Sequence, residues 1–274
     1  MSPESISNPR NARVQRALRL RTRRGRNQQG RTILDGQREI VRALEGGVRI
    51  EEVFCCDRAD RTASSAGHLL SLDRVLDRLR QQGATLFSVP PAILDRLAFG
   101  ERNEGLVAVA TIPASTLDRL PMGKQPLWIV LDGVEKPGNL GAVLRSADGA
   151  GAQGVIVCGE GTDVYNPNVI RASLGTVFAV PTAVTDAVTC RKWLQQQAAR
   201  IVVGRAEAVT NYSDCDFRVA TAIVLGSEAH GASDVWRGTD CRDICIPMHG
   251  IADSLNVSAA AAVLLYEARR QRKP

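Results

Sequence analysis

Apolar residues fall along the chain in two patterns. Short unbroken runs at residues 127–131, 155–158, 177–184, 201–204, 221–225 and 244–248 stand between stretches rich in Gly, Asn and Asp. Runs of this length without alternation read as strands buried on both faces. Between them lie segments with helical spacing. Asn139 caps one over 140–150, Asn166-Pro167-Asn168 opens another carrying Arg171 and Ser173, and a third covers 186–199. A last helix starts near 257, with Ser254 or Asn256 as its cap. Apart from Ser258, its run from Val257 to Tyr266 is apolar or Ala, so most of that helix is expected to be buried. Strand–helix alternation of this kind predicts a parallel sheet covered on both sides.

The first half shows the same alternation at shorter range. Strands are expected at 32–34, 50–55, 85–89 and 106–110. Helices are expected at 37–44, at 69–82 with Leu72, Val75, Leu76 and Leu79 inward, and at 91–98 behind a proline. Polar loops are expected at 57–67 and 100–105. A proline-rich stretch without periodicity separates the halves. The chain therefore divides into a basic arm (1–30), a small α/β domain (31–113), a linker (114–126) and a larger α/β domain (127–274).

Charge adds a distinction that periodicity misses. The net charge is +6, yet residues 1–31 hold nine Arg against the single acid Glu4, so everything after them is slightly acidic. Arg10, Arg13, Arg16 and Arg19 recur every three residues and form a drifting stripe on a helix, with Val14 and Leu18 on another face. Arg21, Arg23, Arg24 and Arg26 follow in a stretch read as irregular. Two readings are open: a solvated tail, or an arm that binds phosphates, since guanidinium groups match phosphate geometry. No apolar run is long enough to span a membrane, and the Arg-rich start is unlike a secretory signal. Seven scattered Cys without a C-x-x-C pair are expected to be reduced thiols, which points to the cytoplasm.

Gly149-Ala150-Gly151-Ala152-Gln153-Gly154 fits a dinucleotide fingerprint in letters only. It follows a helix and opens a strand, the reverse of what phosphate binding needs. There is no P-loop, H-E-x-x-H or G-x-S-x-G.

Three blocks of the larger domain resemble the motifs of the SpoU/TrmH family of RNA ribose 2′-O-methyltransferases, within the SPOUT superfamily. They are Gly138-Asn139-Leu140-Gly141-Ala142-Val143-Leu144-Arg145-Ser146-Ala147, then Ile223-Val224-Leu225-Gly226-Ser227-Glu228-Ala229-His230-Gly231, then Ile246-Pro247-Met248 with Ser254-Leu255-Asn256-Val257-Ser258. The first domain looks, more loosely, like the RNA-binding domain that precedes the catalytic domain in many members. The resemblance implies a deep C-terminal trefoil knot, a homodimer with a shared active site, and S-adenosylmethionine (SAM) as methyl donor, without a metal.

By the same resemblance, Leu225, Gly226, Ile246, Met248, Ser254, Leu255 and Asn256 would hold the cofactor, with Gly226 admitting close approach of backbone to ligand. Arg145, Asn139, Glu228, Ser254 and Asn256 would form the catalytic set. Arg145 would act as an activated base, or as a cation that pins a phosphate and stabilises developing alkoxide. Arg10, Arg13, Arg21, Arg23, Arg24, Arg102 and Arg171 would bind RNA. The implied activity is 2′-O-methylation of RNA, with ribosomal RNA as the favoured target and tRNA the runner-up. A non-catalytic RNA-binding or ribosome-assembly factor is the alternative from another class.

Overall fold

A computed structural model describes residues 3–56, 71–99, 104–159 and 163–272. Its contacts divide the chain into two compact units. One is residues 1–113 with 165–179, the other 114–164 with 180–274.

In the first unit the chain runs through β1 (Glu4–Ser5), α1 (Ala12–Arg19), α2 (Arg23–Gln29), β2 (Arg31–Asp35), α3 (Gln37–Glu45), β3 (Ile50–Cys55), α4 (Leu72–Gln81), β4 (Thr85–Ser88), α5 (Pro91–Leu97) and β5 (Leu106–Thr111). The strands form a mixed sheet in the order β1-β4-β3-β5-β2. The expected irregular stretch after α1 is instead helix α2. Thr22 caps it by accepting from the Gly25 N–H at 3.1 Å, and Gly30 closes it in the left-handed region at φ 62°. The basic segment is no loose tail. Val14, Ala17 and Leu20 are buried in one core with Ile33, Phe54 and Phe87. The expected loop at 57–67, the first two residues of the helix expected at 69–82, and Arg102 with most of its loop lie outside the described residues.

The second unit holds β6 (Leu127–Asp132), α6 (Pro137–Ala150), β7 (Gly154–Cys158), β8 (Thr182–Thr185), α8 (Ala187–Gln196), β9 (Arg200–Gly204), β10 (Thr221–Gly226), β11 (Cys241–Ile244) and α9 (Val257–Gln271), while α7 (Pro167–Ala172) belongs to the first. All pairings in its six-stranded sheet, β11-β9-β10-β6-β7-β8, are parallel, as the buried runs predict. Buried Trp128, Val130, Val203, Val224 and Trp236 fill one core against α8.

Four local expectations change. The strand expected at 177–184 is a short 3-10 turn at Thr176–Phe178 followed by β8. The strand expected at 244–248 is displaced to β11, and Cys245 keeps only a bridge to Asn211. The linker carries a 3-10 turn at Leu117–Arg119, buries Leu120, and accepts the Val184 N–H at the Ser115 carbonyl. Helix α9 runs on to Gln271, and its Tyr266 is 53% exposed rather than buried.

Tertiary contact also sorts one segment unexpectedly. Residues 165–179 fold with the first unit although both flanks belong to the second. The Thr32 hydroxyl donates to the Tyr165 carbonyl at 2.8 Å, and Arg42 donates to the Leu174 carbonyl at 2.6 Å. Gly46 has no room for a side chain: a Cβ there would lie 2.2 Å from the Phe178 carbonyl oxygen.

Candidate active site

Parallel sheets present their strand carboxyl ends as a row of loops, and ligands bind there. In the second unit the loops after β9, β10 and β11, with the start of α9, enclose a cavity of about 660 Å³. That volume suits a small organic ligand. Leu225, Ile246, Met248, Leu255 and Leu264 give it apolar wall, and Arg205, Glu228 and Ser254 are polar groups on its lining. Six of the seven expected cofactor residues line it; Asn256 does not.

Gly226 closes the floor. A Cβ there would sit 1.8 Å from the Gly231 carbonyl carbon and 1.9 Å from the Ala232 nitrogen. The glycine is therefore required by the loop folding back on itself, through the Gly231 N–H to the Ser227 carbonyl at 2.9 Å, and not by ligand approach alone. Asp132 at the end of β6 steadies the same loop by accepting the Ser233 N–H at 2.8 Å.

The opposite wall has a different character. Among the described residues, the main-chain groups of 246–255 make no hydrogen bond within the protein. Donors and acceptors left open along a cavity wall can read the edge of a heterocycle.

At the cavity's lip Glu228 gathers three distant stretches. One of its oxygens accepts from Asn139 Nδ2 at 3.0 Å and from Asn256 Nδ2 at 2.6 Å, and the other pairs with Lys136 Nζ. Asn256 also donates to Asn139 Oδ1 at 3.2 Å. Lys136 first, then Asn139, hold the Glu228 carboxyl below its ordinary range by favouring the anion.

Asn139 is thus freed from the capping role expected of it. Lys136 stands at the N-cap and Pro137 opens α6, which leaves the Asn139 side chain for Glu228. Asn256, not Ser254, caps α9, with its Oδ1 accepting the Ser258 N–H at 3.0 Å and the Ser258 hydroxyl at 2.6 Å. Lys136 has no role in the sequence reading, and Ser258 enters it only as the last residue of the third motif block. Their signal is weak: a lysine ahead of Pro-Gly-Asn and a serine in a helix's first turn are common.

Arg145 is exposed on α6 and makes no hydrogen bond or ion pair with any described residue. It lies six residues beyond Asn139, about 9 Å further along and about 120° around an ideal helix. It therefore does not point with Asn139 toward Glu228.

The expected RNA-binding arginines divide. Arg13 pairs with Glu52 at 2.6 Å and covers the Phe87 ring. Arg21 donates to the Ala98 carbonyl at 2.9 Å. Arg10, Arg23 and Arg24 are exposed, and Arg171 on α7 is half-buried.

Residues 126–266 match the SpoU rRNA Methylase family, and residues 11–108 match the MRM3-like substrate binding domain. The chain belongs to the SpoU rRNA methylase family. It is 35% identical to the 23S rRNA (uridine(2479)-2'-O)-methyltransferase of Streptomyces viridochromogenes, across 96% of this chain and 91% of the relative. The solved structure of an RNA 2'-O ribose methyltransferase superposes with a TM-score of 0.82 at 38% identity, covering 98% and 99% of the two chains. The SpoU methyltransferase AviRb of Streptomyces viridochromogenes, solved in complex with AdoMet, superposes with a TM-score of 0.83 at 32% identity, covering 96% and 98%. Members of the family are methyltransferases, so the cavity and its carboxylate lip belong to a fold built for methyl transfer. All seven cysteines are free, and no cluster able to hold a metal occurs among the described residues. No helix among them is long and apolar enough to cross a membrane.

Proposed function

We propose that this chain transfers a methyl group from SAM to a ribose 2′-hydroxyl of RNA, with ribosomal RNA as the substrate. One observation carries the reading: Glu228 on the cavity's lip binds Asn139 and Asn256, so three stretches far apart in sequence meet where a cofactor cavity opens. The naming of the Streptomyces relative and the AdoMet complex of AviRb support it.

The residues present fit SAM. Gly226 and Leu225 form one wall, while Ile246, Met248 and Leu255 offer unpaired main-chain groups to an adenine edge and apolar side chains to its faces. Ser254 adds a hydroxyl. When bound, SAM supplies an electrophilic methyl on a sulfonium, so the protein's task is orientation of the acceptor. Glu228, kept anionic by Lys136 and Asn139, fixes Asn139 and Asn256 at the lip. Asn256 is fully engaged in that cluster, and the N–H that Asn139 keeps open holds the ribose in place.

Arg145 supplies the cation near the 2′-oxygen and its neighbouring phosphate, and it does so for the site of a second copy of the chain. Its direction on α6 and its lack of partners among the described residues support this, as does exposed Tyr266 on α9, the helix that packs on α6. The enzyme is read as a homodimer accordingly. The C-terminal trefoil knot belongs to the same reading: β11 lies at the sheet edge, yet α9 returns to pack under β10 and β6. Exposed Arg10, Arg23 and Arg24, with Arg171, take RNA phosphates, and Arg102 is assigned the same role.

The test is direct. SAM binding is measured by calorimetry, then labelled SAM is offered with ribosomal RNA and with tRNA, and 2′-O-methylated positions are mapped. Methylation of tRNA alone would move the substrate. Absence of SAM binding by the folded protein would remove the enzymatic reading in favour of a binding factor.

A further inference from the structure

We infer that Arg205 is a positioning residue for the cofactor: it holds the loop after β10 in the shape that forms one wall of the cavity. This rests on the reading of that cavity as the SAM site.

Arg205 follows β9, the strand between β11 and β10, and its side chain is buried at 5% exposure. A guanidinium cannot shed its charge, so burial is tolerable only with partners on its donors. Nε donates to Asp243 Oδ1 on β11 at 3.1 Å, Nη1 to the Ala232 carbonyl at 3.0 Å, and Nη2 to the Trp236 carbonyl at 3.5 Å. Its own N–H donates to the Ile244 carbonyl at 2.9 Å. One residue thus ties the ends of two strands to two points of the loop.

The Ala232 carbonyl is a telling partner. Gly231 and Ala232 are the backbone that folds against Gly226, so the group Arg205 holds belongs to the close approach that shapes the floor. A loop carbonyl at a surface is satisfied by water at little cost. Holding it with a buried, planar, multi-donor group fixes its place instead.

A second arginine makes the comparison. Arg191 on α8 donates to the Val235 and Arg237 carbonyls and pairs with Asp240, so it grips the loop's far side. Arg205 lines the cavity and Arg191 does not. Carbonyls of Ala232, Val235, Trp236 and Arg237 are therefore all taken by two guanidinium groups.

The experiment uses the full-length chain with Arg205→Met, Arg205→Lys and Arg191→Met. It measures affinity for SAM and for 5′-methylthioadenosine, which lacks the amino-acid part, together with methylation rate at saturating SAM and melting temperature without ligand. Arg205→Met is expected to weaken both ligands by the same factor, about ten- to a hundredfold, the loss of one or two charge-assisted hydrogen bonds. The rate at saturating SAM stays within about threefold, since the reacting groups are untouched. Arg205→Lys recovers part of the affinity, and Arg191→Met lowers melting temperature more than affinity.

Unchanged affinity in folded Arg205→Met overturns the inference. So does a loss for SAM with none for 5′-methylthioadenosine, which would make Arg205 a direct ligand of the amino-acid part. If Arg205→Met fails to fold, Arg205→Lys decides: wild-type affinity for both ligands overturns the inference, and an equal loss for both supports it. A wild-type protein that does not bind SAM withdraws the reading of the cavity itself, a result separable from any difference between variants.

Discussion

Gly226→Ala is the smallest change that should open the cavity proposed to hold SAM. The added methyl would stand 1.8 Å from the Gly231 carbonyl carbon and 1.9 Å from the Ala232 nitrogen, both main-chain atoms that no rotamer change can move. Carbon atoms stop repelling near 3.5 Å, so the loop must retreat by about 1.7 Å. That retreat breaks the 2.9 Å bond from the Gly231 N–H to the Ser227 carbonyl. A hydrogen bond of this kind is worth about 1 kcal/mol, and overpacking costs about 1–3 kcal/mol, so the total is about 2–4 kcal/mol. For a folding unit of this size the melting temperature should fall by about 5–15 °C. A ligand that must reclose the loop would lose affinity by about thirtyfold or more. Calorimetry with SAM and differential scanning on the same preparation read both numbers. A variant that melts within about 2 °C of the parent and binds SAM within twofold would show that the close approach is not needed, and the reasoning about Gly226 would fail.

Further outcomes follow from the same geometry. Arg145→Ala should abolish methyl transfer while leaving SAM binding and the proposed dimer intact, read by calorimetry and sedimentation, and Arg145→Lys should fall near it if the planar fork is needed for a phosphate; full activity in the Ala variant refutes the role. Neutralising Arg10, Arg23 and Arg24 together should lower the slope of log affinity against log salt by about two to three, since each exposed cation releases nearly one counterion; an unchanged slope removes them from the interface. Glu228 is held below its ordinary value near 4.5, so the ordering it provides is present above that value and is lost as pH falls through the depressed one. Lys136→Met removes the largest cause of the depression, and the acid limb of activity should therefore move to higher pH; an unmoved limb separates Glu228 from it.

Much of this molecule is written in local sequence. Unbroken apolar runs gave the parallel sheet because a strand covered on both faces needs no polar side, and this holds wherever the strand sits. The three motif blocks likewise mark, through residue types alone, stretches that line the cavity and meet at Glu228, and Asn256 could be read as a cap because capping is a contact of two residues' range. Periodicity fails where the partner is distant. The helix α2 hid among arginines, since its stability comes from packing Gly25 and Arg26 against the end of α1 rather than from an apolar stripe. The strands expected at 177–184 and 244–248 were apolar runs claimed partly by other contacts: Phe178 stacks on Tyr165 in the first unit, and Ile246 and Met248 line the cavity.

What only the tertiary structure decided is who meets whom. Asn139 looks like a helix cap in sequence and becomes a ligand of Glu228, 89 residues away, because Pro137 already opens the helix. Gly226 looks like space for a ligand and is first of all space for Gly231. Arg205 carries no sequence signal at all, yet it binds β11 and two carbonyls of the loop after β10 at once. Helix and strand preferences are set within a few residues, so one chain suffices to read them. A carboxylate's or guanidinium's partners are set by which strand ends the sheet order brings together, and that order is decided by burial summed over the whole unit.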